Sequence, residues 1–214
     1  NNFTSFSSCR STASAAQSFT IAASSLNAST TVVLSAPAGF ELSTTSSGTY
    51  STTLVVDQTS AGTVTTTTLF IRLSASASAG TFTGTLGIAS SGATTDLSIV
   101  MPSSTVNALP TITGTATTVI EGTSTLSSTI TGGTWSSSTT AVATISASGV
   151  VTGVANGTTT ITYTAATGCA TTVSFTVAGP SITKSGTITA FTACVGTATA
   201  AQTFTVTGAD LTNN

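Results

Sequence analysis

The chain has 214 residues, of which 4% are charged and about two-fifths are Ser or Thr, with a formal net charge of −2. Disordered chains combine low hydrophobicity with high net charge, and a chain that is 39% hydrophobic and nearly uncharged does not fit that class. Arg10, Arg72 and Lys184, the three basic residues, lie far apart, which excludes the cation cluster a nucleic-acid partner requires, and no apolar run reaches the roughly twenty residues needed for membrane insertion.

Thr, Val and Ile favour a pleated, half-buried backbone, while the straight-chain helix formers are scarce, so the expected class is all-β. In chain order, apolar and hydroxyl residues alternate or cluster at 19–21, 31–34, 53–56, 67–73, 81–86 and 96–100. Clusters of Gly, Ser and Pro, such as 36–39 and 46–48, separate these runs. Short strands at such spacing point to an antiparallel sandwich.

Farther on, 160–164 and 172–177 each alternate with a period of two, so that Val173, Phe175 and Val177 fall on one face. The Gly-containing link at 165–170 suits a hairpin between them. Proline cannot extend a ladder, so the segment from Pro102 to Pro110 and the Gly179-Pro180 pair read as junctions. Domains are expected at 1–104 and 105–179, with 180–214 opening a third. Short, proline-bearing linkers favour a semi-rigid string, and hence an extended rod of tandem sandwiches.

An internal repeat supports this division. Phe6-Ser-Ser-Cys9-Arg-Ser-Thr-Ala13-Ser-Ala-Ala-Gln17-Ser-Phe19-Thr-Ile21 returns without a gap as Phe191-Thr-Ala-Cys194-Val-Gly-Thr-Ala198-Thr-Ala-Ala-Gln202-Thr-Phe204-Thr-Val206, a step of 185 residues. One unit of that length matches two ordinary domains rather than one solenoid turn. Residues 188–214 then hold only the first strands of a module. Adjacent repeats of the same chain or neighbouring subunits are expected to complete them.

The stretch Gly133-Thr-Trp135, Ala141-Val142-Ala143-Thr144-Ile145, Gly149-Val150-Val151-Thr152-Gly153 and Gly157-Thr-Thr-Thr-Ile161 resembles the group 2 bacterial immunoglobulin-like domain over residues 107–178. Trp135 is expected to fill the small core, and Gly149, Gly153 and Gly157 are expected at turns requiring positive φ. The first module, with Cys9-x-x-x-Ala13-x-x-Ala16-Gln17-x-Phe19 and Phe70-Ile71-Arg72-Leu73, is similar to modules alternating with such domains in giant surface proteins of Bacteroidota. That resemblance implies export by the type IX system and adhesin roles, including gliding motility.

The three cysteines allow more than one reading. Cys9 and Cys194 occupy equivalent positions one repeat apart, which in a rod is too far for a disulfide. Cys194 also aligns with Ile120, where similar domains often carry Cys, and Cys169 aligns with Gly92. Each domain type thus keeps one half of a two-cysteine pattern. Buried thiols are one reading, and a bridge from Cys169 to a neighbouring module or chain is the other.

Catalytic chemistry is not expected. The chain has no His, which removes the usual general base and commonest metal ligand. Glu41, Asp57, Asp96, Glu121 and Asp210 are scattered singly, whereas glycosidase chemistry requires two carboxyls at a defined gap. Neither linker carries Asp or Glu, so no calcium is expected at the joints. No catalytic residue, cofactor or metal is assigned. The expected role is non-enzymatic: a stalk or spacer in an extracellular adhesin or filament on a bacterial surface. Alternatives are a module that uses Tyr50 and hydroxyls to bind surface polysaccharide, or accessory domains of a secreted enzyme.

Overall fold

Residues 2–27, 30–91 and 96–209 are described by the computed structural model. Two compact units divide the chain: the first runs to Leu109 and takes in Thr167–Cys169, and the second comprises Pro110–Ala166 and the chain from Ala170 onward.

The first unit is built from β1 (Ser7–Cys9), β2 (Gln17–Ala23), β3 (Val32–Ser35), β4 (Phe40–Ser43), β5 (Thr53–Val56), β6 (Val64–Leu73), β7 (Gly80–Ser90) and β8 (Leu97–Asn107). They form a five-stranded sheet, β1-β8-β7-β3-β5, and a three-stranded sheet, β2-β6-β4. Alternation determines what lies between the sheets: Leu69, Ile71 and Leu73 of β6 are fully buried, as are Leu34 of β3, Leu42 of β4 and Leu86 of β7. Phe6 meets Phe40 edge-on at 5.5 Å, and Phe3 meets Phe19 at 5.6 Å. Edge-to-face pairs of this kind add to the stabilisation from burial.

Two features differ from the reading of the sequence. β1 joins β8 in parallel, with Ser7 opposite Thr105, so the sandwich is not purely antiparallel. Strand β8 also continues through Pro102 to Asn107, and the first unit reaches Leu109 rather than ending at 104. The ladder accommodates Pro102 at a register shift, where Phe82 pairs Ser104 and Gly84 pairs Met101. A proline at a bulge costs no ladder bond.

A buried serine anchors the first strand to this bulge. Ser104 Oγ accepts the Phe6 N–H at 3.1 Å and donates to the Pro102 carbonyl at 2.9 Å, and the residue is 1% exposed. Ser104→Ala would leave a buried donor without its acceptor and should lower stability by about 1–3 kcal/mol. Exposed Ser18→Ala should stay within about 0.5 kcal/mol of zero. Urea unfolding of the two variants measures the difference.

The second unit contains β9 (Ile112–Gly114), β10 (Thr117–Val119), β11 (Thr123–Ser128), β12 (Thr134–Ser137), β13 (Ala143–Ile145), β14 (Val150–Gly153), β15 (Gly157–Thr164) and β16 (Ala170–Ala178). One sheet runs β9-β11-β14-β13, and the other β10-β16-β15-β12. Numbered A to G from β9 with β10 as a split first strand, these are the ABED and GFC sheets of a constant-type immunoglobulin sandwich. The expected hairpin at 165–170 joins β15 to β16.

Phe175, Leu126, Val151, Ile161 and Val177 form the second core. Trp135 packs against it while half-buried, its ring 4.7 Å from that of Tyr163. Gly149 and Gly157 have the expected positive φ, 84° and 150°. Gly153 does not; it is a glycine because a Cβ there would collide with the Val119 carbonyl and the Val177 side chain.

After the Gly179-Pro180 link come β17 (Ser181–Ser185) and β18 (Thr205–Ala209), paired antiparallel. Every residue of both strands is exposed.

Candidate functional site

Three arrangements carry chemistry beyond packing. The first is a disulfide between Cys9, at the end of β1, and Cys169, in the β15–β16 turn, with Cα atoms 5.6 Å apart and a sequence separation of 160. The buried-thiol reading is therefore corrected for both residues: Cys169 is bonded to Cys9, and the first compact unit takes in both. It fails for Cys194 as well, which is free and exposed. The signal was present in the sequence as the complementary half-patterns at Cys9 and Cys169. No local motif spans 160 residues, so pairing did not follow from spacing.

The second arrangement gathers the charges of the first unit. Glu41 and Arg72 face each other across β4 and β6, with Arg72 Nε 2.7 Å from Glu41 Oε1. The guanidinium carbon lies 3.6 Å from the centre of the Tyr50 ring, whose hydroxyl donates to the Ser46 carbonyl at 3.1 Å. Burial raises the Tyr50 pKa above its ordinary value, an effect opposed by Arg72 and reinforced by Glu41. Tyr50 is half-buried rather than freely exposed, and one ring face is taken by Arg72. The cluster ties the loop before β5 to the sheet.

Of the other acids, Asp57 and Asp96 are exposed and Glu121 has a left-handed φ of 61°. Asp210 lies outside the described residues. Among the described residues, no three His, Cys, Asp or Glu side chains are placed to hold a metal, and no helix is long and apolar enough to cross a membrane.

The third arrangement is the C-terminal copy of the repeat, which keeps the local geometry of the original. In the first unit, the Gln17 carboxamide oxygen accepts the Thr4 N–H at 3.0 Å and its nitrogen donates to the Thr4 carbonyl at 2.8 Å. Gln202 does the same with Thr189, at 2.6 and 3.0 Å. The turn after Cys9, with Thr12 N–H donating to the Cys9 carbonyl at 3.0 Å, recurs from Thr197 to Cys194 at 3.1 Å. The left-handed Ser11, φ 67°, has Gly196, φ 86°, as its counterpart.

What differs is cover. Phe6 and Phe19 are each 3% exposed, whereas their counterparts Phe191 and Phe204 are 57% and 52% exposed, with Val206 similarly open. The copy thus keeps the local geometry of the original, with its aromatic residues more exposed than their counterparts in the first unit.

No protein-family model matches the chain, and no curated protein matches it. Among solved structures, that of an intimin mutant from EHEC O157:H7 is similar over 33% of this chain and 40% of its own, at 23% identity and a TM-score of 0.28. This chain therefore spans about two-fifths of that structure. The C-terminal 282-residue fragment of intimin, solved in complex with the intimin-binding domain of the translocated intimin receptor, is similar over 86% of this chain and 67% of its own. Its identity is 17% and its TM-score 0.41.

Proposed function

We propose that this chain is a repeat segment of a large extracellular bacterial adhesin or surface filament, a non-enzymatic stalk that projects a binding tip. The observation that carries the reading is the internal repeat: residues 191–206 return the sequence of residues 6–21 at a step of 185, and the Gln17–Thr4 bonds recur between Gln202 and Thr189. A module begun in that way is completed by adjacent repeats of the same chain or by neighbouring subunits. A low-charge, hydroxyl-rich surface and two sandwiches per 185 residues suit a spacer. The resemblance of the first module to type IX-exported proteins of Bacteroidota directs the search toward attachment and gliding adhesins at the cell surface.

The test is a tandem chain of two or more 185-residue units, imaged by negative-stain electron microscopy and probed with a thiol reagent. Length should increase by a constant increment per unit, and Cys194, free in the single unit, should become unreactive to alkylation. A globule whose largest dimension hardly grows with unit number would sink the stalk reading.

A further inference from the structure

The outward face of the β10-β16-β15-β12 sheet is an ordered field of hydroxyls. Alternation along β15 turns Ile161 and Tyr163 into the core and leaves Thr158, Thr160, Thr162 and Thr164 on the other side. Register aligns these with the neighbouring strands: Thr158 lies opposite Thr176, Thr160 opposite Ser174 and Thr162 opposite Thr172. Across the other side of β15, Ser136 pairs with Thr162 and Thr134 with Thr164, and Thr117 of β10 extends the row of Thr176. Opposed residues project to the same face, so the field runs across the whole sheet, and its side chains are exposed or half-buried.

None of these hydroxyls has a hydrogen-bond partner among the described residues. The inward Thr159 of the same strand is the contrast. It is 3% exposed, and its hydroxyl bonds to those of Ser137 and Ser138 and accepts the Thr139 N–H at 3.0 Å. Hydroxyls on the inside are used by the fold, and those on the outside are left for water.

We propose that this face is an ice-binding surface, whose ligand is the ordered water of a crystal plane. Side chains on it repeat at about 4.8 Å across the strands and roughly 6.8 Å along them, and both repeats are close to those of the oxygen atoms on the prism plane of hexagonal ice. Branching at Cβ restricts χ1 of Thr, so the hydroxyls need little further ordering to hold that spacing. Each Thr also presents a methyl group that gains by shedding disordered water. The rows are Ser and Thr throughout, with no charge to disrupt a water lattice. A glycan site would require an aromatic platform, whereas Trp135 and Tyr163 turn to the core side of the same strands. A protein partner would require an apolar centre to the contact, which these rows lack. Sheet twist, roughly 20–25° between adjacent strands, centres the match on the β15–β16 ladder. Ice binding by this face does not depend on the repeats forming a stalk.

The experiment measures thermal hysteresis of the full chain, together with its uptake into an ice crystal grown slowly through the solution. The chain should open a gap between melting and freezing points and be enriched in the ice. Thr160→Lys and Ser174→Lys, each setting a long cation in the middle of the ladder, should lose both effects. Thr125→Lys, at an exposed position on the other sheet of the same unit, should keep them. An unchanged urea transition of Trp135 fluorescence shows that each variant is folded. Rejection of the full chain by ice would overturn the proposal, as would activity retained in both ladder variants or lost equally in Thr125→Lys. Without ice activity, retention on insoluble cellulose that Thr160→Lys abolishes would assign the face to a glycan, and dimerisation that it abolishes would assign the face to a second copy; either result overturns the proposal.

Discussion

Pulled by its two ends, the oxidised chain should release only about 54 residues of contour, ~190 Å at roughly 3.5 Å per residue, while the reduced chain should release its full ~750 Å. Tension follows the shortest covalent path, which enters at Asn1, crosses from Cys9 to Cys169 and leaves through the C-terminal segment. The 160 residues bridged by that bond bear no load while it is intact. Both strand-rich cores between them are spared except for β1 and the strands from β16 onward.

Optical tweezers with and without reductant measure this directly, and Cys169→Ser should behave like the reduced chain in either condition. Equal release from oxidised and reduced chains would show that the bond does not form in solution. The same bond acts at equilibrium. Closing a loop of this length removes about 5 kcal/mol of chain entropy from the unfolded state in the loop-closure treatment, so reduction should also lower the midpoint of urea unfolding.

Phe175→Ala should have the second large effect, a loss of about 3–5 kcal/mol. Phe175 is fully buried, and its core includes few other large side chains, chiefly Leu126, Val151, Ile161 and Val177. The surrounding strands β9, β10 and β13 have three residues each and cannot collapse far to fill a void. Trp135, the single tryptophan, packs on this core and reports on the second unit. The Phe175→Ala variant should shift the Trp135 fluorescence transition to lower urea, with hydrogen exchange at Leu69 and Ile71 of the first unit unaffected. If the two regions lost protection together, the chain would be unfolding as one cooperative body instead.

Much of the architecture is legible in the residues because burial on one face imposes a period of two. The runs at 53–56, 67–73, 160–164 and 172–177 all coincide with strands β5, β6, β15 and β16. Less was legible where strands are short and hydroxyl-rich. β11 reads Thr-Ser-Thr-Leu-Ser-Ser and buries only Leu126, too few apolar positions to establish a period. β4 follows directly on the Ala36–Gly39 turn and carries its message in Phe40 and Leu42 alone.

Pro102 illustrates a different limit: proline argues against a strand only where a ladder bond is needed, and a register shift removes that need. The disulfide was half legible, since aligning the two domain types exposed the complementary cysteines without revealing that they meet.

The reciprocal bonds between Gln17 and Thr4, and again between Gln202 and Thr189, bear on the order in which such a chain folds. Each clamp closes a span of 13 residues. Contacts so near in sequence form early because little loop entropy opposes them, whereas sandwiches as a class are slow to fold because their strand pairings are distant. A chain emerging N-terminus first would therefore hold each module's opening in shape as a template and add the later strands one after another. In a repetitive sequence this has particular value. Strands that dock onto the nearest waiting template pair within their own repeat before an identical strand farther along can compete, which limits the cross-pairing to which tandem domains of like sequence are prone.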